Sequence, residues 1–217
     1  TSAKWTQQAK LVAEDGAASD FFGGSVAIDG DTIVVGARLD NANGYDSGSA
    51  YVYTRDGTGT IAKWSQQTKL VAEDGAPFDY FGIRVAIHGD TIVVGAYRDD
   101  TDNGSNSGSA YVYTRDDTSS ASSTWTLQEK LVAEDGATND HFGRSVAIHG
   151  DTIVVGADGG DTDNGEDSGS AYVYTRAGTG TSAKWTQQTK LVAKDGAAGD
   201  YFGTRKRQLW CKCCHSR

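Results

Sequence analysis

Apolar residues fall in short runs along this chain, none with helical period, and clusters of Gly, Asp, Asn and Ser separate them. Brief β-branched and alternating runs of this kind predict strands joined by turns. Phe22-Gly23-Gly24-Ser25-Val26-Ala27-Ile28 sets Phe22, Val26 and Ile28 on one face, and Thr32-Ile33-Val34-Val35 is apolar on both faces. Both segments call for burial from two sides. A third segment, Ala50-Tyr51-Val52-Tyr53, carries two tyrosines on one face and small apolar residues on the other. The Trp5 to Val12 segment is half polar, with Trp5 and Leu11 opposite Gln8 and Lys10. That is the pattern of a half-exposed edge strand guarded by lysine. Burial is therefore expected to fall from the first strand of a unit to the last. Between the first two segments, Ile28-Asp29-Gly30-Asp31-Thr32 predicts a tight hairpin.

The pattern repeats. Gly30 to Ala37 returns letter for letter at Gly89 to Ala96 and at Gly150 to Ala157, and Ser47 to Arg55 returns at Ser107 to Arg115 and Ser168 to Arg176. Phe-Gly stands at Phe22-Gly23, Phe81-Gly82, Phe142-Gly143 and Phe202-Gly203, and tryptophan at Trp5, Trp64, Trp125 and Trp185. A catalytic centre needs one set of non-equivalent groups in one place, so this repetition speaks for architecture. No Ser-His-Asp set or histidine metal cluster stands out, and no enzymatic activity is expected. Four antiparallel strands per repeat, stacked about an axis, make a β-propeller blade, with an open solenoid as the competing solution. The repeat region spans 1–203: an outer strand at 4–12, blades at 21–72, 80–133 and 141–193, and an aborted blade start at 201–203. The expected fold is all-β, with about three blades of four antiparallel strands in a partial or open propeller, because closed propellers take roughly 4 to 8.

Phe-Gly-x-Ser/Arg-Val-Ala-Ile, then Val-Val-Gly-Ala, then Gly-Ser-Ala-Tyr-Val-Tyr resembles the FG-GAP repeat of the integrin α-chain N-terminal propeller. The resemblance covers residues 1–203, with signature pairs at Phe22-Gly23 and Gly36-Ala37, Phe81-Gly82 and Gly95-Ala96, and Phe142-Gly143 and Gly156-Ala157. The proline that usually closes the motif is replaced by Arg38, Tyr97 and Asp158. The resemblance implies a propeller that acts in cell adhesion, protein or carbohydrate binding, or extracellular scaffolding. Some blades of the family carry an Asp-x-Asp-x-Asp-Gly calcium loop between their first two strands. Here a short Gly-Asp turn occupies that place and offers too few oxygens for the roughly 6 to 8 that Ca²⁺ takes.

Charge narrows the partners. The 217 residues carry a net charge of −9, which repels phosphate backbones and acidic membrane surfaces, so nucleic acid is not an expected partner. The apolar runs are far shorter than the roughly 20 residues of a membrane helix, and Thr1-Ser2-Ala3-Lys4-Trp5 does not open a signal peptide. With no methionine present, the sequence reads as a processed chain or a piece of a longer product. The segment 204–217 leaves the repeat, holds five basic residues, no acidic residue and all three cysteines, and reads as a truncated or frame-altered end. Cys211, Cys213, Cys214 and His215 lack a second ligand pair at zinc-finger spacing.

Between the second and third strands, Asp100, Asp102 and Asn106, and likewise Asp161, Asp163 and Asp167, alternate in the manner of weak Ca²⁺ ligands. The competing reading, placed first, is a solvated turn, and the first repeat has only Asp40-Asn41-Ala42-Asn43-Gly44 there. Asp15, Asp74 and Asp135 in the connectors, and Asp20, Asp79, Asp140 and Asp200 before Phe-Gly, read first as turn caps and second as a ring of carboxylates. The four tryptophans read first as packing between blades and second as stacking platforms for sugars. His88 and His149 replace Asp29 at equivalent turns, a sign of tolerance, and Asn103-Gly104-Ser105 is a glycosylation sequon if the chain is secreted. The function this supports is a non-enzymatic binding, adhesion or scaffolding module at the cell surface or outside the cell. It would display the loops 38–46, 97–106 and 158–167 to a protein or glycan ligand. A lectin-like propeller and a calcium-binding structural repeat are the alternatives. Self-association or further blades of a longer chain are expected at the sheet faces, and no direct membrane insertion is expected.

Overall fold

A computed structural model of the chain describes residues 4–57, 63–115, 124–178 and 183–204. All regular structure within them is β. The strands are β1 (Phe22–Asp29), β2 (Thr32–Ala37), β3 (Ser49–Asp56), β4 (Lys63–Leu70), β5 (Arg84–His88), β6 (Thr91–Ala96), β7 (Ser109–Thr114), β8 (Thr126–Leu131), β9 (Phe142–His149), β10 (Thr152–Ala157), β11 (Ser170–Ala177) and β12 (Lys184–Leu191). They form three four-stranded sheets, each pairing its strands antiparallel in sequence order. The result is an open, three-blade propeller-like arrangement. Each first hairpin turns on a glycine with φ between +53° and +58° at the first central position, as a type II′ turn requires.

Alternation along the strands gives every sheet two unlike faces. The trailing face of the first blade sets Val34, Ala50, Val52 and Leu70 against Phe81, Ile92, Val94 and Tyr111 on the leading face of the second. The next junction repeats this, with Val93, Ala110, Val112 and Leu131 against Phe142, Ile153, Val155 and Tyr172. Tyrosines on one face of β3 and small residues on the other are thus the two halves of one interlocking contact.

The signature glycines make that contact possible. A Cβ on Gly36 would lie 2.0 Å from the carbonyl oxygen of Gly82, and a Cβ on Gly95 would lie 2.0 Å from that of Gly143. Phe-Gly of one blade therefore rests directly on Gly-Ala of the blade before it, an approach only glycine permits. Parallel bridges from Gly48 to Phe81 and from Gly108 to Phe142 stitch the same seam.

Two expectations are corrected. Residues 4–12 form no strand. Instead Leu11 and Ala13 pack on the leading face of the first blade, and the Val12 carbonyl accepts the Tyr53 hydroxyl at 2.6 Å. Burial also does not decline steadily from the first strand. It peaks in the two middle strands, where β6 and β7 are buried throughout. The inner strand is itself a sheet edge and β1 has no blade in front of it, so Val26 and Ile28 are 66% and 64% exposed. Their counterparts Val85 and Ile87, covered by the first blade, are buried. Leu191 and Val192 are exposed at the opposite end of the stack, on the last blade.

Candidate functional site: the loop rim

The three loops 38–46, 97–106 and 158–167 leave the same ends of equivalent strands. Their backbones are already engaged. Tyr45, Asp46 and Ser47 carbonyls accept the amides of Phe78, Tyr80 and Phe81, and Ser105, Asn106 and Ser107 accept those of Asn139, His141 and Phe142. Asn43, Asn103 and Asn164 each send their side-chain amide to a connector carbonyl, those of Ala72, Ala133 and Ala193. The sequon residue Asn103 therefore spends on a 2.8 Å hydrogen bond the nitrogen that a glycan would need.

The residues expected to hold calcium do not converge. Asp100 and Asp161 accept the backbone amides of Asn106 and Asp167 at 2.7 and 2.9 Å, closing each loop on itself. Among the described residues no three acidic, histidine or cysteine side chains form a metal-sized cluster. Asp102 and Asp163 are exposed. The cysteines and His215 lie outside the described residues.

The connector carboxylates divide into two kinds. Asp20, Asp79, Asp140 and Asp200 accept the amides of Ala17, Ala76, Ala137 and Ala197, as turn caps do. Asp15 and Asp74 instead join buried polar nests. In the first blade Asp40 Oδ2 takes the Ser49 hydroxyl at 2.9 Å, the Tyr51 hydroxyl at 2.6 Å and the Lys69 ammonium at 2.8 Å, while Asp15 holds the other side of Lys69. Asp99, Ser109, Tyr111, Lys130 and Asp74 repeat the nest in the second blade. Burial alone would lower the Lys69 ammonium, but its bonds to Asp15 and Asp40 hold it above its ordinary value. The Lys69 bond draws Asp15 below the usual carboxylate range. Tyr51 is pushed up by burial first and then by Asp40.

Burial, with Asp99 and Asp100 nearby, raises Asp79 to about 6 despite its bond from Ala76. The folded chain then binds a proton that the unfolded chain releases near pH 4, so this residue's contribution to stability falls as pH rises from about 4 to 6. Asp79→Asn keeps an oxygen for the Ala76 amide. Compared with wild type across that window, it is expected to gain stability on the order of 2 kcal/mol, read as a pH-dependent difference in urea midpoints. Equal differences at pH 4 and pH 7 would remove the proton from this account.

The tryptophans occupy graded positions. Trp125 and Trp185 are buried between blades, and their indole N–H groups reach Gln67 and Gln128 of the preceding blade at 3.3 and 3.2 Å. Trp64 is half-buried on the free leading face, and Trp5 is 98% exposed. His88 and His149, at neighbouring hairpins, bring their ring centroids within 4.9 Å.

A feature that the sequence reading missed runs along the inner rim. The Arg38 guanidinium lies over Phe21 at 4.8 Å and faces Tyr80 at 5.8 Å. Tyr80 stacks on Tyr97 at 5.6 Å with a 15° interplanar angle, and Arg98 lies over both rings. Arg144 covers Tyr97 at 4.4 Å and reaches Asp158 at 3.3 Å. These residues flank Phe-Gly and follow Gly-Ala, where the repeats differ from one another: Phe21, Tyr80 and His141 just before Phe-Gly, Arg144 just after it, and Arg38, Tyr97 and Asp158 just after Gly-Ala, with Arg98 next to Tyr97. The signal was in the sequence as variation within a fixed frame. At the outer rim Tyr45 and Phe78, 63% and 48% exposed, form a second aromatic pair at 5.4 Å.

Repeated four-stranded sheets locked through Phe-Gly on Gly-Ala define a propeller-type repeat module. The FG-GAP repeat family model matches residues 5–53, 64–113, 125–174 and 185–205, and the chain belongs to that family. No curated protein sequence matches it significantly.

Proposed function

We propose that this chain is a non-enzymatic binding or scaffolding module whose ligand face is the aromatic and arginine rim. The observation that carries this reading is the stack from Phe21 through Arg38, Tyr80 and Tyr97 to Arg144, assembled from non-repeated positions over two blade junctions. Flat rings interleaved with guanidinium groups suit a protein partner, because aromatic and arginine side chains supply much of the energy of protein interfaces. Propellers built from FG-GAP repeats are typically non-enzymatic and such repeats occur in extracellular proteins, which supports a place outside the cell or at its surface. Among the described residues no helix is long and apolar enough to cross a membrane. Among the described residues, the leading face of the first blade meets only the segment of Leu11 and Ala13 and the trailing face of the last blade meets no further blade, and both present the same residue types that bury each other within the stack. They are suited to another blade of this repeat, from a longer chain or a second copy.

The rim is tested by selecting displayed peptides against the wild-type chain and probing a glycan array in parallel. The selected binders are then measured on a Tyr80→Ser, Tyr97→Ser, Arg98→Ser variant. Affinity is expected to fall at least about 10-fold, the loss of one good interface anchor, while the melting temperature changes little. Binders that hold the variant equally well would move the ligand face elsewhere. Glycan signal without peptide binders would favour the lectin alternative.

A further inference from the structure

The third blade breaks the rule of the buried nests. Where the first and second blades have Asp40 and Asp99, it has Gly160. The backbone correspondence is close: Gly48 and Gly108 amides donate to Asp40 and Asp99 carbonyls at 2.8 and 2.9 Å, and the Gly169 amide donates to that of Gly160 at 2.8 Å. The remaining members of the nest stay in place without their acceptor. Ser170 and Tyr172 are each 0% exposed, and both hydroxyls lack a hydrogen-bond partner. Tyr172 comes near Ser170, Lys190 and Asp135, yet makes no bond of acceptable geometry to any of them. Lys190 keeps only Asp135, at 2.8 Å, whereas Lys69 and Lys130 each bridge two carboxylates.

We infer that the space beside Gly160 is a binding site for a small monocarboxylate anion of the size of acetate, held by Ser170, Tyr172 and Lys190. Acetate carries the same carboxylate as aspartate on a single methyl carbon, so it supplies the missing acceptor with little else. Ser170, Tyr172 and Lys190 stand at the positions whose counterparts in the other two blades all donate to a single oxygen, Oδ2, and the Ser170 hydroxyl lies 3.1 Å from where a Cβ on Gly160 would be. Their present charge sum with Asp135 is one positive and one negative, while each complete nest has one positive and two negative. An anion therefore restores the balance that the other two blades share. Leaving buried hydroxyls unsatisfied is costly, and a charge-assisted acceptor removes that cost. The Lys190 side chain is 26% and that of Asp135 52% exposed, so the site opens to solvent along the lysine.

The test compares wild type with Gly160→Asp, which places the carboxylate covalently, in the same sodium acetate solutions at pH 7. General salt effects act on both proteins alike, so the difference between their melting curves reports the site. Acetate is expected to raise the wild-type melting temperature by about 2 to 4 °C beyond the rise in Gly160→Asp, with saturation. Tyr172→Phe should lose most of that excess, and provides the comparison if Gly160→Asp fails to fold. Benzoate, too large for the space of an aspartate side chain, should give no excess. Equal responses of wild type and both variants would overturn the proposal, and would mean that water satisfies Ser170 and Tyr172.

Discussion

Gly95→Ala is expected to separate the second and third blades. The added Cβ would lie 2.0 Å from the Gly143 carbonyl oxygen and 3.0 Å from its carbon, both backbone atoms that no rotamer change can move aside. The Gly82 amide donates to the Gly95 carbonyl at 3.1 Å, so a shift of this strand also strains its own blade. Relief requires parting a junction that buries Phe142, Ile153, Val155 and Tyr172. A cost of about 3 to 5 kcal/mol follows, or a fall of roughly 10 °C or more in melting temperature. Gly156→Ala is the internal control. Its Cβ would strike the Gly203 carbonyl at the same 2.0 Å, but Phe202, the counterpart of the fully buried Phe142, is 38% exposed, so less packing is at stake among the described residues. Equal losses from the two substitutions would show that the clash itself, and not the blade seam, sets the cost.

The second large effect is Phe142→Ala. The Phe142 ring is fully buried and meets Tyr172 edge-on at 5.4 Å and Tyr174 at 6.1 Å, while its backbone bridges to Gly108 of the preceding blade. Truncation removes a large side chain from a site whose walls are strands held on both sides, so the cavity collapses poorly. The expected loss is about 3 to 5 kcal/mol by urea unfolding. Phe22 makes the same edge-on contacts with Tyr51 and Tyr53 on the leading face of the first blade, which has no blade in front of it and where the ring is only half-buried. Phe22→Ala should cost about half as much or less, because part of that ring is already in water. Should the two losses match, burial between blades would not be what makes the phenylalanine of the signature costly to remove.

Both predictions turn on residues that the repeat advertised. Phe-Gly and Gly-Ala were legible as architecture because they recur in register with the strands, and the hairpins were legible from Asp-Gly and His-Gly between β-branched runs. The seam itself was not. Nothing in one repeat says that Gly36 faces Gly82, since that contact joins residues in different blades and its strength lies in backbone proximity. The acidic loops left two readings open for a related reason. Alternating Asp and Asn supply oxygen ligands or close a turn equally well, and the choice falls to closure because Asp100 and Asp161 meet backbone amides within their own loops. The rim stack was legible only in part, as departures from the repeat at columns 21/80/141 and 38/97/158.

The sequence by itself determined the all-β class, the four-strand unit and the number of units, because each follows from local periodicity and from letter-for-letter recurrence, and the family showed through the resemblance of its Phe-Gly and Gly-Ala motifs. Tertiary structure alone decided which tryptophans are covered, that residues 4–10 are exposed and form no strand while Leu11 and Ala13 pack on the first blade, and that Asp40 and Asp99 are buried at the centre of polar nests. The physical reason is the same in each case. Burial is a property of the neighbouring blade, and chemically identical repeats acquire different environments as soon as one of them has a neighbour and another does not.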